Sequence, residues 1–159
     1  MAERGPPGHT LHGTALVIGT VGLLIEGESG AGKTTLALAL IEACRLDGRH
    51  AALVADDRVR LALGRQGAIA RPPARLAGLV EVPGHGIVGH AHIPACRIDR
   101  VIALTDAPTE RMASAATRRL FPPDGGAIDL PMLRLQARGG APAVRAILSW
   151  LDAPPGATD

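Results

Sequence analysis

The residues Gly27-Glu28-Ser29-Gly30-Ala31-Gly32-Lys33-Thr34 follow the pattern glycine, four residues, then Gly-Lys-Thr. That spacing lets consecutive backbone N–H groups point inward around a phosphate, and a helix beginning at the lysine would add the positive end of its dipole. Lys33 is the chain's only lysine, beside sixteen arginines. An ammonium on a flexible stem can follow a phosphoryl group as it moves, which a planar guanidinium does badly. Lys33 would therefore reach the β and γ phosphates of ATP, Thr34 would offer a hydroxyl to Mg²⁺, and Thr35 would close the binding stretch.

The second chemical feature is "LVADDRV", Leu53 to Val59. An apolar run ending in Asp56-Asp57 would bring carboxylates to the sheet edge where the phosphates lie. Such acids hold Mg²⁺ or take a proton from an attacking hydroxyl. Like charges so close would raise one another's pKa, and the bland alternative for the pair is a turn or a helix cap.

Positioning these groups requires an α/β chain. "TALVI" (14–18) and "GLLIE" (22–26) read as a hairpin whose second strand enters the glycine bend. "KTTLALALIEACR" (33–45) puts Leu36, Leu40 and Cys44 on one helical face beside Ala37 and Ile41, and "LDGRH" stops it. "HAALVADD" is an apolar strand, "VRLALGRQGAIA" a hairpin turning near 64–67, and "ARLAGLVEVPGHGIVG" a short helix or strand followed by a glycine-loosened loop. "RVIALT" (100–105) is a buried strand, and "PTERMASAATRRL" reads as a helix with Pro108 in its first turn and Arg118 and Arg119 at its end. "AIDLPMLRL" is the last strand and "PAVRAILSWL" a closing helix. Strands alternating with helices and hairpins predict a mixed sheet.

Composition narrows the function classes. At 159 residues and 47% hydrophobic content, one core is affordable and a second full domain is not. Aromatics at 1% leave almost nothing on which to stack bases, and a formal charge of +2 is too balanced for a general polyanion binder, so no nucleic-acid partner is expected. Cys44 and Cys96 lack metal-knuckle or disulfide-framework spacing. No apolar run approaches a membrane span of about 18 residues, and the N-terminus lacks a signal-like stretch, so a cytoplasmic protein without a membrane partner is expected. Residues 1–9 and 152–159, rich in Pro and Gly, are expected to be tails around a single domain at 10–151.

With "HG" at 12–13, "TALVIGTVGLLIEG", "GESGAGKT", "LVADDRV" and "GLVEVPGHGIVG" in this order, the chain resembles the catalytic domain of bacterial HPr kinase/phosphorylase over roughly residues 10 to 90. The resemblance implies the phosphate-loop, PEP carboxykinase-like fold of that family in a short form without its N-terminal domain. It implies a protein serine kinase using ATP and Mg²⁺, an HPr-type phosphocarrier as acceptor, and a homo-oligomer, hexameric in the family. His12 would be the active-site histidine, Asp57 the base for the serine proton, and Glu81, beside Thr34 and Asp56, a further Mg²⁺ ligand. Arg111 matches an arginine after a late strand that assists catalysis in the family. Arg138 and Gly140 match a degraded C-terminal segment. Pro83 and His85 stand where the family signature carries arginine and leucine, which weakens transfer of any role of that arginine. Reverse phosphorolysis stays open. Two rivals stay open as well: a phosphate-loop kinase of a small metabolite, with "ATRRLFPPDGG" as the candidate lid, and a nucleotide sensor without transfer chemistry.

Overall fold

The computed structural model describes residues 10–111 and 115–153; the expected tails, apart from 152 and 153, lie outside that range. The elements, in chain order, are β1 (Thr10–His12), β2 (Thr14–Ile18), β3 (Val21–Glu26), α1 (Lys33–Leu46), β4 (Ala51–Ala55), β5 (Arg58–Gly64), β6 (Gly67–Arg71), β7 (Leu79–Val82), β8 (Gly86–Gly89), β9 (Cys96–Arg97), β10 (Arg100–Thr105), β11 (Ala116–Leu120), β12 (Ile128–Gln136) and α2 (Gly140–Asp152). Six strands form the main sheet in the order β11-β12-β10-β3-β2-β4, and four form a second in the order β1-β5-β6-β9. β3, β10 and β12 run parallel while β2, β4 and β11 join antiparallel, so the sheet is mixed as expected.

The main sheet is covered on both faces, and the period-2 alternation of its strands assigns each side chain to a layer. Along β3, Leu23 and Ile25 face the layer of α1 and α2, where Leu36, Leu40, Ile41 and Ile147 are buried. Leu24 faces the other way, into a cluster with Val59, Leu61, Ile98 and Val101 under the four-stranded sheet. Val, Leu, Ile and Ala fill both layers, consistent with the shortage of aromatics. Each fully buried Leu or Ile in them stabilises the fold by about 1.5–3 kcal/mol.

Two strands pass from one sheet to the other, side by side. β1 belongs to the small sheet and β2 to the large one, with only Gly13 between them; β4 belongs to the large sheet and β5 to the small one, with Asp56-Asp57 between. A Cβ on Gly13 would stand 2.9 Å from the Ile25 carbonyl oxygen, so this crossing has no room for a side chain. The Gly13 N–H donates to the Asp57 carbonyl at 3.1 Å and ties the two crossings together. The sheets also meet at Gly22, where a Cβ would come 1.7 Å from the Arg97 carbonyl oxygen. There the Gly22 N–H donates to Asp99 Oδ2 at 2.9 Å, and the Asp99 N–H donates to the Gly22 carbonyl at 2.8 Å.

Two expected elements differ. The helix expected over 108–120 is not formed: residues 107–111 are irregular, 112–114 lie outside the described range, and Ala116–Leu120 is strand β11. Arg118 and Arg119 therefore end no helix. Arg119 Nε donates to Asp129 Oδ1 at 2.8 Å on the neighbouring strand, and Arg118 makes a two-pronged pair with Glu26, Nε to Oε2 at 2.7 Å and Nη2 to Oε1 at 3.0 Å. Pairing along β12 and these ion pairs outweigh the helix preference of a segment rich in Ala and Arg. The segment expected as a short helix or strand and a loop is a single 3-10 turn, Ala74–Leu76, followed by the β7–β8 hairpin.

Candidate active site

The phosphate-loop stretch lies between the C-terminal end of β3 and the first turn of α1, as its sequence context requires. Gly30 and Gly32 take left-handed conformations, φ 80° and 88°, and the Ala31 N–H donates to the Glu28 carbonyl at 3.1 Å. The helix starts at Lys33, and no acidic residue occupies its first turn, so the positive end of its dipole is not neutralised. Lys33 is 7% exposed, and its Nζ donates to the Gly27 carbonyl at 2.8 Å and to the Glu28 carbonyl at 3.0 Å. Two of its three donors thus brace the loop. Burial lowers the Lys33 pKa below its ordinary value, opposed by the nearby carboxylates of Asp57, Asp56 and Glu28 in that order.

The adjacent acids have separate environments. Asp56 is 4% exposed, and its Oδ1 accepts from Thr14 Oγ1 at 2.8 Å and from Thr34 Oγ1 at 2.7 Å. One buried carboxylate therefore straps β2 and the end of β4 to the start of α1. Asp57 is exposed and left-handed, φ 63°, a conformation that L-residues other than Asn and Asp seldom adopt and that occurs at sites held by their surroundings. Its Oδ1 stands 3.7 Å from His12 Nε2 and its Oδ2 3.8 Å from Arg58 Nε.

These groups converge on one cleft of about 310 Å³. His12, Ser29, Gly30, Gly32, Lys33 and Thr34 line it, together with Thr35, Asp57, Glu81 and Pro83. Glu81 arrives from β7 and Pro83 from the turn after it, so the hairpin forms one wall. Asp56 lies beneath Thr34 instead of on the wall. Arg111 is exposed on the segment after β10 and is not among the lining residues. The oxygen donors there that could serve a cation come from Thr34, Asp57 and Glu81, with Asp56 behind Thr34, and His12 is the one nitrogen side chain other than Lys33 on the wall. Among the described residues no group of three or more His, Cys, Asp or Glu is placed to hold a metal ion alone. An ion here would draw much of its shell from a ligand's oxygens, a mode that suits Mg²⁺.

Arg138 supports the loop from behind, a contact that motif reading does not reveal. It is left-handed, φ 55°; its N–H donates to the Ala31 carbonyl at 2.9 Å and its Nη1 to the Gly30 carbonyl at 3.0 Å, while Nη2 pairs with Asp106. Thr14 was equally hidden: a buried threonine in an apolar strand gives no sign in sequence that its hydroxyl holds Asp56.

Comparison with known proteins identifies the family and the fold. The family described as HPr Serine kinase C-terminal domain matches residues 6–102. The chain is 39% identical over 89 residues to an HPr kinase/phosphorylase of Limosilactobacillus reuteri and 43% identical over 89 residues to one of Bordetella pertussis. Those alignments cover 55% of this chain and 26% and 27% of the relatives, so the chain matches about a quarter of their length. The structure of an HPr(Ser) kinase/phosphatase from Coxiella burnetii superposes with a TM-score of 0.71 at 25% identity, covering 90% of this chain and 88% of the other. With a matching family description over most of the chain and a shared mixed α/β architecture, the chain belongs to the HPr serine kinase C-terminal domain family.

Proposed function

We propose that the chain is an ATP- and Mg²⁺-dependent protein serine kinase whose acceptor is an HPr-type phosphocarrier. The observation that carries this reading is the meeting of the phosphate loop, Asp57, His12 and Glu81 on one cleft. The loop amides and Lys33 would hold the β and γ phosphates, and the open side of the cleft would admit the acceptor hydroxyl. Asp57 would take the hydroxyl proton as the serine oxygen bonds to the γ phosphorus and the bridging oxygen leaves with ADP. Mg²⁺, held by Thr34 and Glu81 with Asp56 behind them, would supply charge neutralisation across the phosphates. His12 would stand beside Asp57 and tune its charge environment. Arg111 would assist only if the acceptor drew its segment toward the cleft.

Incubation with labelled ATP, Mg²⁺ and HPr tests the reading. Serine phosphorylation by the wild-type chain, lost in Asp57→Ala with nucleotide binding retained, supports it, and no transfer by the wild type counts against it. Turnover of ATP with small alcohols or acids in the absence of protein would favour the metabolite kinase. Tight ATP binding without transfer to any acceptor would favour a sensor, for which Pro83 in the cleft wall is the supporting observation. The same reading implies a cytoplasmic homo-oligomer, checked by sedimentation. Among the described residues, no helix is long and apolar enough to cross a membrane.

A further inference from the structure

From 58 to 80 the chain holds five arginines and no aspartate or glutamate, so the remainder of a chain of formal charge +2 is net negative. This stretch begins with the β5–β6 hairpin, and strand alternation gathers three of the five arginines on one surface. Val59, Leu61, Ala68 and Ala70 turn inward and are buried, which leaves Arg58, Arg60 and Arg71 on the outer face of the four-stranded sheet. In the register of that face His12 stands opposite Arg58, Arg60 opposite Arg71, and Ala62 opposite Ile69, whose other neighbour is Arg97.

At the two ends of the face a carboxylate meets the charge: Asp57 Oδ2 lies 3.8 Å from Arg58 Nε, and Asp99 Oδ1 accepts from Arg97 Nε at 2.6 Å. Between them Arg60 and Arg71 set two like charges directly opposite each other, an arrangement that costs a sheet stability. Arg71 is exposed and, among the described residues, makes no ion pair. Beside this pair Ala62 and Ile69 present a half-buried aliphatic patch. Arginine around apolar surface is the composition of a protein interface, whereas 1% aromatic content supplies no rings on which bases could stack.

We propose that this face docks an acidic patch on the protein that presents the acceptor hydroxyl, an inference that rests on the protein-kinase reading above. The face starts at the cleft, since His12 and Asp57 line the cleft and Arg58 follows Asp57 directly. At ordinary strand spacing Arg71 stands about 10 Å from Asp57. A protein whose serine enters the cleft covers about 800 Å² of its partner, a disc of roughly 16 Å radius. That disc reaches past Arg71, so carboxylates on the β5–β6 side of the serine meet Arg60 and Arg71 in the same encounter. Charges at such a rim act chiefly on the rate of association and on its salt dependence.

Transfer from MgATP to an HPr-type phosphocarrier, followed against ionic strength in the wild-type chain, Arg71→Glu and Arg145→Glu, tests the proposal. Arg145 is exposed on α2, on the other side of the main sheet, and controls for net charge. Arg71→Glu is expected to lower kcat/KM for the phosphocarrier roughly tenfold at low salt and to flatten its salt dependence, with kcat and MgATP affinity within about twofold of wild type. Arg145→Glu is expected to behave as wild type. Circular dichroism melts confirm that each variant is folded, and should Arg71→Glu unfold, Arg71→Gln takes its place with an expected loss of about threefold. No loss at Arg71, or an equal loss at Arg145, overturns the proposal. Where the wild type phosphorylates no phosphocarrier, a labelled serine peptide flanked by glutamates and its glutamine counterpart decide by fluorescence anisotropy. A preference for the acidic peptide that Arg71→Glu erases leaves the docking face standing and the acceptor reading fallen; equal binding of the two peptides brings down both. Binding of a duplex oligonucleotide tighter than that of the phosphocarrier or acidic peptide, or self-association in sedimentation, if Arg71→Glu abolishes it, assigns the face to nucleic acid or to a second copy and overturns the proposal.

Discussion

The phosphate loop and the paired strand crossings face each other across the same cleft, yet they are built in opposite ways. The loop is local: eight consecutive residues, two left-handed glycines and a lysine that bonds carbonyls five and six positions behind it. The crossings are assembled from afar, with Asp57 placed by the Gly13 hydrogen bond and Asp56 fastened to Thr14 across 42 positions. A local motif can hold a phosphate in many settings. A seam between two sheets fixes where a carboxylate stands relative to that phosphate, and on the proposed reading this is what separates gripping a nucleotide from using it.

Substitutions can break this contrast in order of expected effect. Asp57→Asn keeps the seam's shape and removes the basic oxygen, so serine transfer should fall by about 10²–10⁴-fold; nucleotide affinity by calorimetry should change by less than about threefold, since the group acts on the proton and not on the grip. Lys33→Met should do the reverse, weakening MgATP binding by roughly 100-fold through loss of a charge-assisted contact. If Asp57→Asn abolished binding as well, the division between grip and chemistry would be wrong.

Thr14→Val leaves the buried Asp56 with one hydroxyl donor instead of two. The cost should be about 1–3 kcal/mol in urea melts, with the loss centred on a residue outside the cleft wall. An unchanged melt would mean that the strap contributes nothing to stability.

The smallest effect is electrostatic. Burial depresses the Lys33 pKa, and Asp57 is the foremost carboxylate opposing it, so Asp57→Asn should lower the midpoint further. Because the chain has one lysine, a single ¹³Cε resonance reports it. The sign for stability follows. With a folded pKa below 10.5, the unfolded chain binds more protons between the two midpoints, and stability rises with pH across that window. The variant should widen the window downward, and a midpoint that rises would contradict this assignment of charges.

Legibility in sequence tracked the same division. The loop, α1 and β3 were readable because spacing within some twenty residues determines them, and α1 buries Leu36, Ala37, Leu40, Ile41 and Cys44 as its periodicity requires. The hairpin turning at 64–67 was readable from its glycines, but not that it leaves the main sheet, because only the two crossings decide that. β11 was misread as helix. Its alternation exists, with Ala116, Arg118 and Leu120 on one side, but an inward arginine looks polar until its partner Glu26, 92 positions away, is known. β1 and β9, three and two residues long, are too short to leave a pattern. In the site, His12, Ser29, Gly30, Gly32, Lys33, Thr34, Thr35, Asp57, Glu81 and Pro83 meet on the cleft, whereas Asp56 lies behind Thr34, and Gly27, Glu28, Ala31, His85, Arg111, Arg138 and Gly140 do not line it.

The tight contact at Gly22 has a mechanical consequence. It pins the root of β3 main chain to main chain against the other sheet, with a reciprocal pair of hydrogen bonds to Asp99. A rod clamped at its base cannot slide lengthwise, so on the proposed reading any adjustment of the loop to a departing phosphoryl group would come from bending at its tip. Even a methyl group at this position, remote from all the chemistry, would pry the clamp open and let that tip wander.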